Sequence, residues 1–244
     1  MPLVTVAVPS FNQGRFLDQA LESIFAQDLP VEVFVADGGS TDGTVEAIRR
    51  WEPRLSGWRS QADAGQSAAI NEAIARGTAP YVCWLNSDDW WLPGSLAKLV
   101  AALESDAAAP FAYGRVWNHD QAADARRRNY EVHPFSERFM AQVNLVAQPA
   151  TLIRRPAWEA VGGLDAGLQM AMDYDLWWRL YRRFGPPRFL DEPLAVNRVH
   201  AGTKTSTRRR DHYVEAMAVV RRHYGRVPLK WYLAWPWAVW WRSR

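Results

Sequence analysis

The first half of the chain alternates short apolar runs with segments whose apolar residues recur at helical spacing. The apolar runs are rich in β-branched or aromatic residues and are bounded by turn residues, which is typical of strands. They are residues 3–8, 31–36, 81–85 and, more weakly, 55–60. The amphipathic segments between them are residues 15–26, 44–51 and 67–76. This alternation predicts an α/β fold with a mostly parallel central sheet flanked by helices.

The second half of the chain is less regular. Residues 172–184 carry apolar positions at helical spacing and predict a helix. Predicted strands are residues 111–116, 126–132, 189–190 and 194–199, and a basic helix is predicted at about 207–224. Because there is no internal repeat or low-complexity linker, we predict one domain, residues 1–203, and a helical C-terminal extension, residues 204–244.

Polar side chains follow each of the four predicted strands of the first half. They are Ser10 and Asn12 after the first strand, Asp37 after the second, Asp63 after the third, and Asn86, Ser87, Asp88 and Asp89 after the fourth, and Pro9 stands directly before Ser10. Parallel strands end at one edge of a sheet, where ligands of such sheets bind. Turn chemistry explains any one of these loops, but four together predict a polar site. Thr41 and Asp42 are predicted N-caps of the helix at residues 44–51.

The composition narrows the class of protein. The chain has 244 residues, of which 48% are hydrophobic and 23% charged, as in ordinary globular proteins. The single cysteine, Cys83, excludes an internal disulfide and fits a reducing compartment. The opening residues MPLVTVAVPS lack the features of a signal peptide, and no apolar run reaches the roughly 18 residues of a membrane span. We therefore expect a cytoplasmic protein.

Charge and tryptophan are concentrated at the C-terminal end. Residues 204–244 hold ten Lys or Arg against two acidic residues, although the whole chain has a net charge of only +3. A basic end predicts an anionic partner there. The segment KWYLAWPWAVWWRSR, residues 230–244, holds five tryptophans, which with Lys and Arg suit a membrane interface. The alternatives are cover of the domain's own groove or dimerisation; a nucleic-acid arm is not expected, because no recognition fold accompanies it.

Six segments, taken together, resemble the family 2 glycosyltransferases, which have the GT-A fold. They are VTVAVPSFNQGRFLDQALESI, VADGGSTDGT, ADAGQSAAINEAI, YVCWLNSDDW, VGGLDAG and MDYDLWWRL, within about residues 3–200. The resemblance implies transfer of a sugar from a nucleotide-diphosphate sugar, with inversion at the anomeric carbon. It also implies a nucleotide-sugar half, about residues 1–105, and an acceptor half, about residues 106–203.

The resemblance implies a divalent cation at the acidic segment after the fourth strand. Asp88 matches the family's metal-binding aspartate, with Asp89 beside it, while Asn86 stands where Asp is usual. A Mn²⁺ or Mg²⁺ ion there would stabilise the charge of the departing diphosphate; a structural turn is the alternative for Asp88. Arg198 and His200 match an Arg-x-His step near the diphosphate, where His200 would complete the metal shell unless it is structural.

The resemblance also implies the nucleotide contacts. Asp37 and Asp63 match two aspartates that accept N–H groups of the base, and an Asx-turn is the alternative for Asp37. The residues expected to line the rest of the nucleotide-sugar cleft are Pro9, Ser10, Asn12, Asn86, Ser87 and Arg198.

Asp173 matches the family's general base, which takes the proton from the acceptor hydroxyl; a helix cap is the alternative. Met172 precedes it, where Glu or another polar residue is common, and Gln148 is expected with Met172 on the acceptor side. Asp175 lies about 200° farther around the helix. It is expected to pair with Arg179, four residues later.

We therefore predict a metal-dependent, inverting glycosyltransferase that elongates a surface glycan or its lipid-linked precursor. The Gln-x-x-Arg-Trp signature of processive polysaccharide synthases is absent, which predicts the addition of a single sugar. The segment PSFNQGRFL lacks the Gly-rich phosphate loop of sugar nucleotidyltransferases. The remaining alternative is a non-catalytic nucleotide-sugar or glycan-binding module. Asn86 and Met172 leave this alternative open, because both depart from the residues that are usual in the family.

Overall fold

The strands and helices alternate along the first hundred residues, as the pattern predicts. The protein was examined as a computed structural model that describes the backbone of residues 1–241 and the side chains of residues 1–239. Its strands are β1 Val4–Ser10, β2 Val31–Asp37, β3 Gly57–Ser60, β4 Tyr81–Trp84, β5 Trp90–Trp91, β6 Phe111–Asp120, β7 Ala125–Arg128, β8 Thr151–Arg154 and β9 Arg188–Val199.

The helices cover both halves of the chain and the C-terminal extension. They are α1 Gly14–Phe25, α2 Thr44–Trp51, α3 Gln66–Ala75, α4 Ser95–Glu104, α5 Glu137–Met140, α6 Arg155–Val161, α7 Met172–Phe184, α8 Lys204–Thr207, α9 Arg209–Tyr224 and α10 Leu229–Trp235. A π-helical segment, Pro236–Trp241, follows α10. No helix within the described part of the chain is both long and apolar enough to cross a bilayer.

One sheet runs through the molecule in the order β3-β2-β1-β4-β8-β6-β9-β5, with β7 paired to β6. The first four strands of this order are mutually parallel, whereas β8 runs antiparallel to both of its neighbours, β4 and β6. Ser10 is aligned with Asp37, and Asp37 with Ser60. The loops after β1, β2 and β3 therefore start from one edge of the sheet.

The core lies between the sheet and its helices. All seven residues of β1 are buried, as expected of a central parallel strand that is covered on both faces. The predicted apolar face of α3 is confirmed, since Ala69, Ile70, Ala73 and Ile74 are buried. Cys83 is also buried, and burial raises the pKa of its thiol.

The structure corrects several boundaries in the second half. The strands predicted at residues 189–190 and 194–199 are one strand, β9, which continues past Pro193 because the pairing with β6 shifts register between Gly114 and Val116. The polar strand predicted at residues 126–132 ends at Arg128. The short strand β8, which joins the parallel half to the rest of the sheet, has no counterpart in the predicted pattern.

The predicted caps of α2 are wrong. Gly43 is the N-cap residue, with a φ of 89° that favours glycine. The side chain of Asp42 instead accepts hydrogen bonds from the backbone N–H groups of Gly14 and Thr44, at 3.1 and 3.2 Å. Asp42 thus ties the start of α1 to the start of α2.

The C-terminal extension packs on the domain through α9. Asp175 is fully buried and pairs with Arg179 at 2.6 Å, as predicted, and with His223 of α9 at 2.8 Å. The indole N–H of Trp231 in α10 donates to the backbone oxygen of Ala141 at 2.8 Å. Both α9 and α10 therefore contact the domain by hydrogen bonds.

Candidate active site

A cavity of about 810 Å³ opens at the carboxyl ends of the parallel strands. Most of the predicted site residues line it, namely Pro9, Ser10, Asp63, Asn86, Ser87, Asp88, Asp89, Gln148, Met172, Asp173 and Arg198. Asn12, Asp37 and His200 do not line it. The edge of the sheet thus brings residues far apart in sequence into one site, as strand geometry predicts.

Asp37 is a buried structural hub in this structure. Its side chain is fully buried and accepts hydrogen bonds from the backbone N–H groups of Gly39 and Ser40, at 3.1 and 2.9 Å. The hydroxyls of Ser40 and Ser60 donate to it as well, at 2.5 and 2.6 Å. The alternative of an Asx-turn therefore describes the observed geometry, and contact with a base stays a prediction.

Asn12 joins the loops after β1 and β2 beside the cavity. Its φ of 53° is in the left-handed region, which Asn tolerates better than most residues. Its backbone N–H donates to the Ser40 hydroxyl at 2.7 Å, and its side-chain oxygen accepts from the Thr41 N–H at 2.9 Å. Asn12 therefore shapes the rim without lining the cavity.

Ser10 and Asp63 are two of the predicted nucleotide contacts that line the cavity. Ser10 lines the cavity, and its hydroxyl is buried without a hydrogen-bond partner within the described residues. Asp63 accepts from Arg59 at 3.1 Å and from the Gly65 N–H at 2.8 Å, while its side chain remains 18% exposed.

Asn86 is held by a network of amide hydrogen bonds. Its side-chain oxygen accepts from Gln66 at 2.8 Å, and its side-chain N–H₂ lies 3.3 Å from acceptor oxygens of both Asp89 and Gln148. Gln148 in turn donates to the backbone oxygen of Trp84 at 2.8 Å. The amide of Asn86 satisfies all three contacts, because it donates to two oxygens and accepts from Gln66.

Asp88 and His200 form a pair beside the cavity. The Oδ2 atom of Asp88 lies 3.1 Å from the Nε2 atom of His200, and the Nδ1 atom of His200 accepts from the Gly202 N–H at 3.1 Å. A neutral imidazole whose Nδ1 accepts carries its proton on Nε2. His200 therefore donates to Asp88 and orients it, and ligation of a cation by Nε2 would require the other tautomer.

Asp89 and Arg198 stabilise the acidic segment of the site through hydrogen bonds to each other and to Asp88. Burial raises the pKa of Asp89 well above its usual range, and the neighbouring Asp88 carboxylate adds to the rise. Asp89 accepts from the Arg198 backbone N–H at 2.9 Å. The guanidinium of Arg198 donates to the Asp88 backbone oxygen and to Gln19 and Gln121. These N–H donors of the Arg198 guanidinium are therefore used within the protein.

Asp173 projects from the first turn of α7 into the cavity. Its carboxylate accepts from the Tyr174 N–H at 2.7 Å and from the side chain of Asn144 at 3.1 Å. Burial raises the pKa of Asp173 to about 6, although these hydrogen bonds act in the opposite direction. A half-buried carboxylate with this pKa can accept a proton near neutral pH. Met172 is buried beside it, with its sulfur 2.8 Å from the Ser67 hydroxyl.

Sequence reasoning missed several lining residues. Phe11, Gln13, Gln169, Met170 and Thr203 all line the cavity. They stand in loops, where no periodicity marks them. Phe11 is 62% exposed although aromatic, and an apolar residue directly after a strand end was the one signal that could have marked it.

Lys204 is a cation that faces the cavity. Its Nζ atom lies 3.5 Å from Gln66, and burial together with the nearby Arg208 lowers its pKa. Lys204 and its neighbour Thr203 both line the cavity, so the predicted boundary between residues 203 and 204 falls within the site. The division into domains stays a prediction.

The fold and the cavity define the class. A mostly parallel sheet flanked by helices, with acidic side chains at its parallel strand ends, fits the GT-A fold that the resemblance implies. The sequence model of glycosyl transferase family 2 matches residues 5–162. The chain therefore belongs to glycosyl transferase family 2, which confirms the resemblance.

Solved structures with the same fold share little sequence with this chain. Residues 1–349 of TarS from S. aureus, solved in complex with UDP-GlcNAc, match 91% of this chain and 66% of that chain, with a TM-score of 0.74 and 18% identity. The mannosyltransferase PcManGT from Pyrobaculum calidifontis, solved with GDP-Man and Mn²⁺, matches 98% of this chain and 72% of that chain, with a TM-score of 0.72 and 23% identity. At these identities the likeness shows the fold alone.

Among curated proteins, chondroitin synthase of Escherichia coli is 25% identical over 237 residues. The alignment covers 95% of this chain but 34% of the synthase. The chain therefore spans about a third of the length of that relative.

The network around Asn86 makes a prediction about stability. Asn86→Asp removes both donated hydrogen bonds and places a second carboxyl group beside the buried Asp89 carboxyl. We expect the free energy of unfolding to fall by roughly 1–3 kcal/mol, measured by urea denaturation. Asn129→Asp is the matched control, because the side-chain oxygen of Asn129 accepts from the Glu131 N–H and Asp can do the same. An Asn86→Asp variant as stable as the wild type would contradict this account.

Proposed function

We propose that this chain is an inverting, metal-dependent glycosyltransferase that adds a single sugar from a nucleotide-diphosphate sugar to a glycan or lipid-linked acceptor. The observation that carries the proposal is the presence of Asp173 and Asp88 in the wall of one cavity. The first is a carboxylate whose pKa suits a general base, and the second is the family's expected metal ligand. Membership of family 2 supports the reaction class.

The donor would bind at the ends of β1–β4. The buried, unpartnered hydroxyl of Ser10 and the cavity-facing Asp63 are groups that a nucleoside can use. TarS was solved with UDP-GlcNAc and PcManGT with GDP-Man, which supports a uridine or guanosine diphosphate sugar as the first donors to test.

Asp88 is the residue that fits a divalent cation. No cluster of three or more His, Cys, Asp or Glu side chains that could hold an ion occurs within residues 1–239. Mg²⁺ and Mn²⁺ commonly bind through one or two carboxylates together with substrate phosphate and water, so one carboxylate is sufficient here. A bound cation would supply Lewis-acid stabilisation of the diphosphate. Lys204 would add a positive charge on the same side.

Asp173 would remove the proton of the acceptor hydroxyl as that oxygen attacks the anomeric carbon. Asn144 and the Tyr174 N–H fix the carboxylate by hydrogen bonds. An acceptor that approaches from α7 and a donor bound at the strand ends would lie on opposite sides of the reacting carbon, which supports inversion. Met172 and Gln148 would line the acceptor side.

The biological setting is proposed from the curated relative. Chondroitin synthase makes a polysaccharide, and its likeness supports a role in cell-surface polysaccharide biosynthesis. We propose addition of one sugar per acceptor, because the processive signature is absent from the sequence.

We also propose that the protein acts in the cytoplasm at the inner face of the membrane, through the C-terminal extension. Leu229, Tyr232 and Leu233 of α10 are 69%, 53% and 72% exposed, and the exposed Lys230 stands among them. Apolar and cationic side chains together suit an anionic lipid surface. Trp231, by contrast, packs on the domain, which agrees with the alternative that this segment covers the domain's own surface. Residues 242–244 and the side chains of residues 240 and 241 lie outside the described part.

Replacement of the proposed base tests the function. We expect Asp173→Asn to reduce kcat by roughly 10²- to 10⁴-fold, while the Kd of the donor nucleotide stays within about twofold, because Asp173 lies on α7 and not at the strand ends. Turnover is measured as release of UDP or GDP from UDP- and GDP-sugars, and Kd by calorimetry. Nucleotide binding without turnover in the wild type would favour the non-catalytic module.

The pH dependence of the wild type provides a second test of the role of Asp173. Only the ionised carboxylate accepts a proton, and the pKa of Asp173 is about 6. The rate of the wild type should therefore rise with pH through about 6 and fall below it. A wild-type rate that is flat between pH 5 and 7 would remove Asp173 from the role of base.

Membrane docking is tested with vesicles. We expect the double variant Leu229→Ser/Leu233→Ser to bind vesicles of phosphatidylcholine and phosphatidylglycerol roughly tenfold or more weakly than the wild type, in a co-sedimentation assay. Tyr130→Ser is the control, because Tyr130 is 77% exposed but lies outside the extension. Equal binding of the double variant, or no binding of the wild type, would refute docking through α10.

A further inference from the structure

One carboxylate from the C-terminal extension binds the segment that leads into α7. Glu215 of α9 accepts hydrogen bonds from three consecutive backbone N–H groups. They are those of Gln169, at 3.1 and 3.2 Å, of Met170, at 2.7 Å, and of Ala171, at 3.1 Å. These groups precede the first turn of α7, where the helix itself offers them no partners.

The bound segment reaches both sides of the cavity. Gln169, Met170, Met172 and Asp173 all line it. The side chain of Gln169 also packs against Gly65 at the donor rim, where an added Cβ would approach its Oε1 atom to 3.2 Å. The position of Asp173 relative to the donor rim therefore depends on how residues 169–171 are held.

Glu215 is itself presented by a helix with a second anchor. His223, two turns farther along α9, lies 2.8 Å from the buried Asp175 of α7. The ring of His223 also stacks on that of Trp178, with centroids 6.0 Å apart and planes 4° apart. Because α9 is fixed to α7 at this end, the Glu215 carboxylate has a defined position at the other.

We propose that Glu215 is a positioning residue for the reaction, which acts by holding residues 169–171 and so placing Asp173 against the donor. The inference rests on the proposed role of Asp173. It assigns to the extension a part in the active site, although the family match ends at residue 162.

Removal of the Glu215 carboxylate should lower the rate of the reaction without lowering the affinity for the donor. Without Glu215, three N–H groups lose a charged acceptor and the segment gains freedom. Misplacement of a reacting group by about 1 Å can cost roughly 100-fold in rate. Most of the predicted nucleotide contacts lie at the ends of β1–β4, to which Glu215 makes no hydrogen bond, so we expect donor affinity to be retained.

The test compares Glu215→Ala and Glu215→Gln with the wild type. We expect kcat to fall roughly 10- to 100-fold in Glu215→Ala, with the donor Kd within about twofold. The amide of Glu215→Gln keeps one acceptor oxygen and a similar shape, so its kcat should lie between the two. Asp211→Asn is the matched control on α9, because Asp211 is exposed and pairs with Arg208; its kcat should not change.

Hydrogen exchange of the 169–171 amides provides a readout that needs no acceptor. We expect these amides to exchange faster in both Glu215 variants, while amides of β1 and β2 keep their protection. Unchanged exchange would overturn the inference, and so would kcat and donor affinity that fall together. A wild type that turns over no sugar donor would defeat the proposed function instead, and the exchange result would still decide whether Glu215 holds the segment.

Discussion

The common register of the parallel strands is the constraint on which the site depends. Ser10, Asp37 and Ser60 are aligned across β1, β2 and β3, so the loops that follow start from one edge. The buried carboxylate of Asp37 then links the loop after β2 to the end of β3, because it accepts hydrogen bonds from Ser40 and Ser60. A buried carboxylate is tolerated when hydrogen bonds replace its hydration, as they do here. The fixed edge lets distant loops share one cavity.

Local sequence patterns were sufficient to predict the parallel half of the fold and the helix α7. Apolar strands and amphipathic helices there follow from residues that are near one another in sequence. Patterns failed where the structure depends on partners far along the chain. The strand β8 is only four residues long and is defined by pairing with β4 and β6. The strand β9 continues through Pro193 because a register shift in its partner accommodates that residue.

The same distinction applies to the site. Residue type and position after a strand were enough to predict that Ser10, Asp63 and Asp88 lie at the cavity. They could not show that the donors of Arg198 are used by glutamines from α1 and from the loop after β6. Nor could they show that Glu215 caps the segment before α7, 44 residues earlier in the chain. Such roles depend on tertiary packing, which carries no local pattern.

The central claim is that the strand ends bind a nucleotide together with a cation at Asp88. The most direct test is the melting temperature of the wild type and of Asp88→Asn with UDP, GDP, dTDP and CDP, each with and without Mn²⁺. A ligand that binds only the folded state raises this temperature. We predict a rise with one nucleotide that requires Mn²⁺ in the wild type and is lost in Asp88→Asn. No rise with any nucleotide, or a metal-dependent rise that survives in the variant, would contradict the claim.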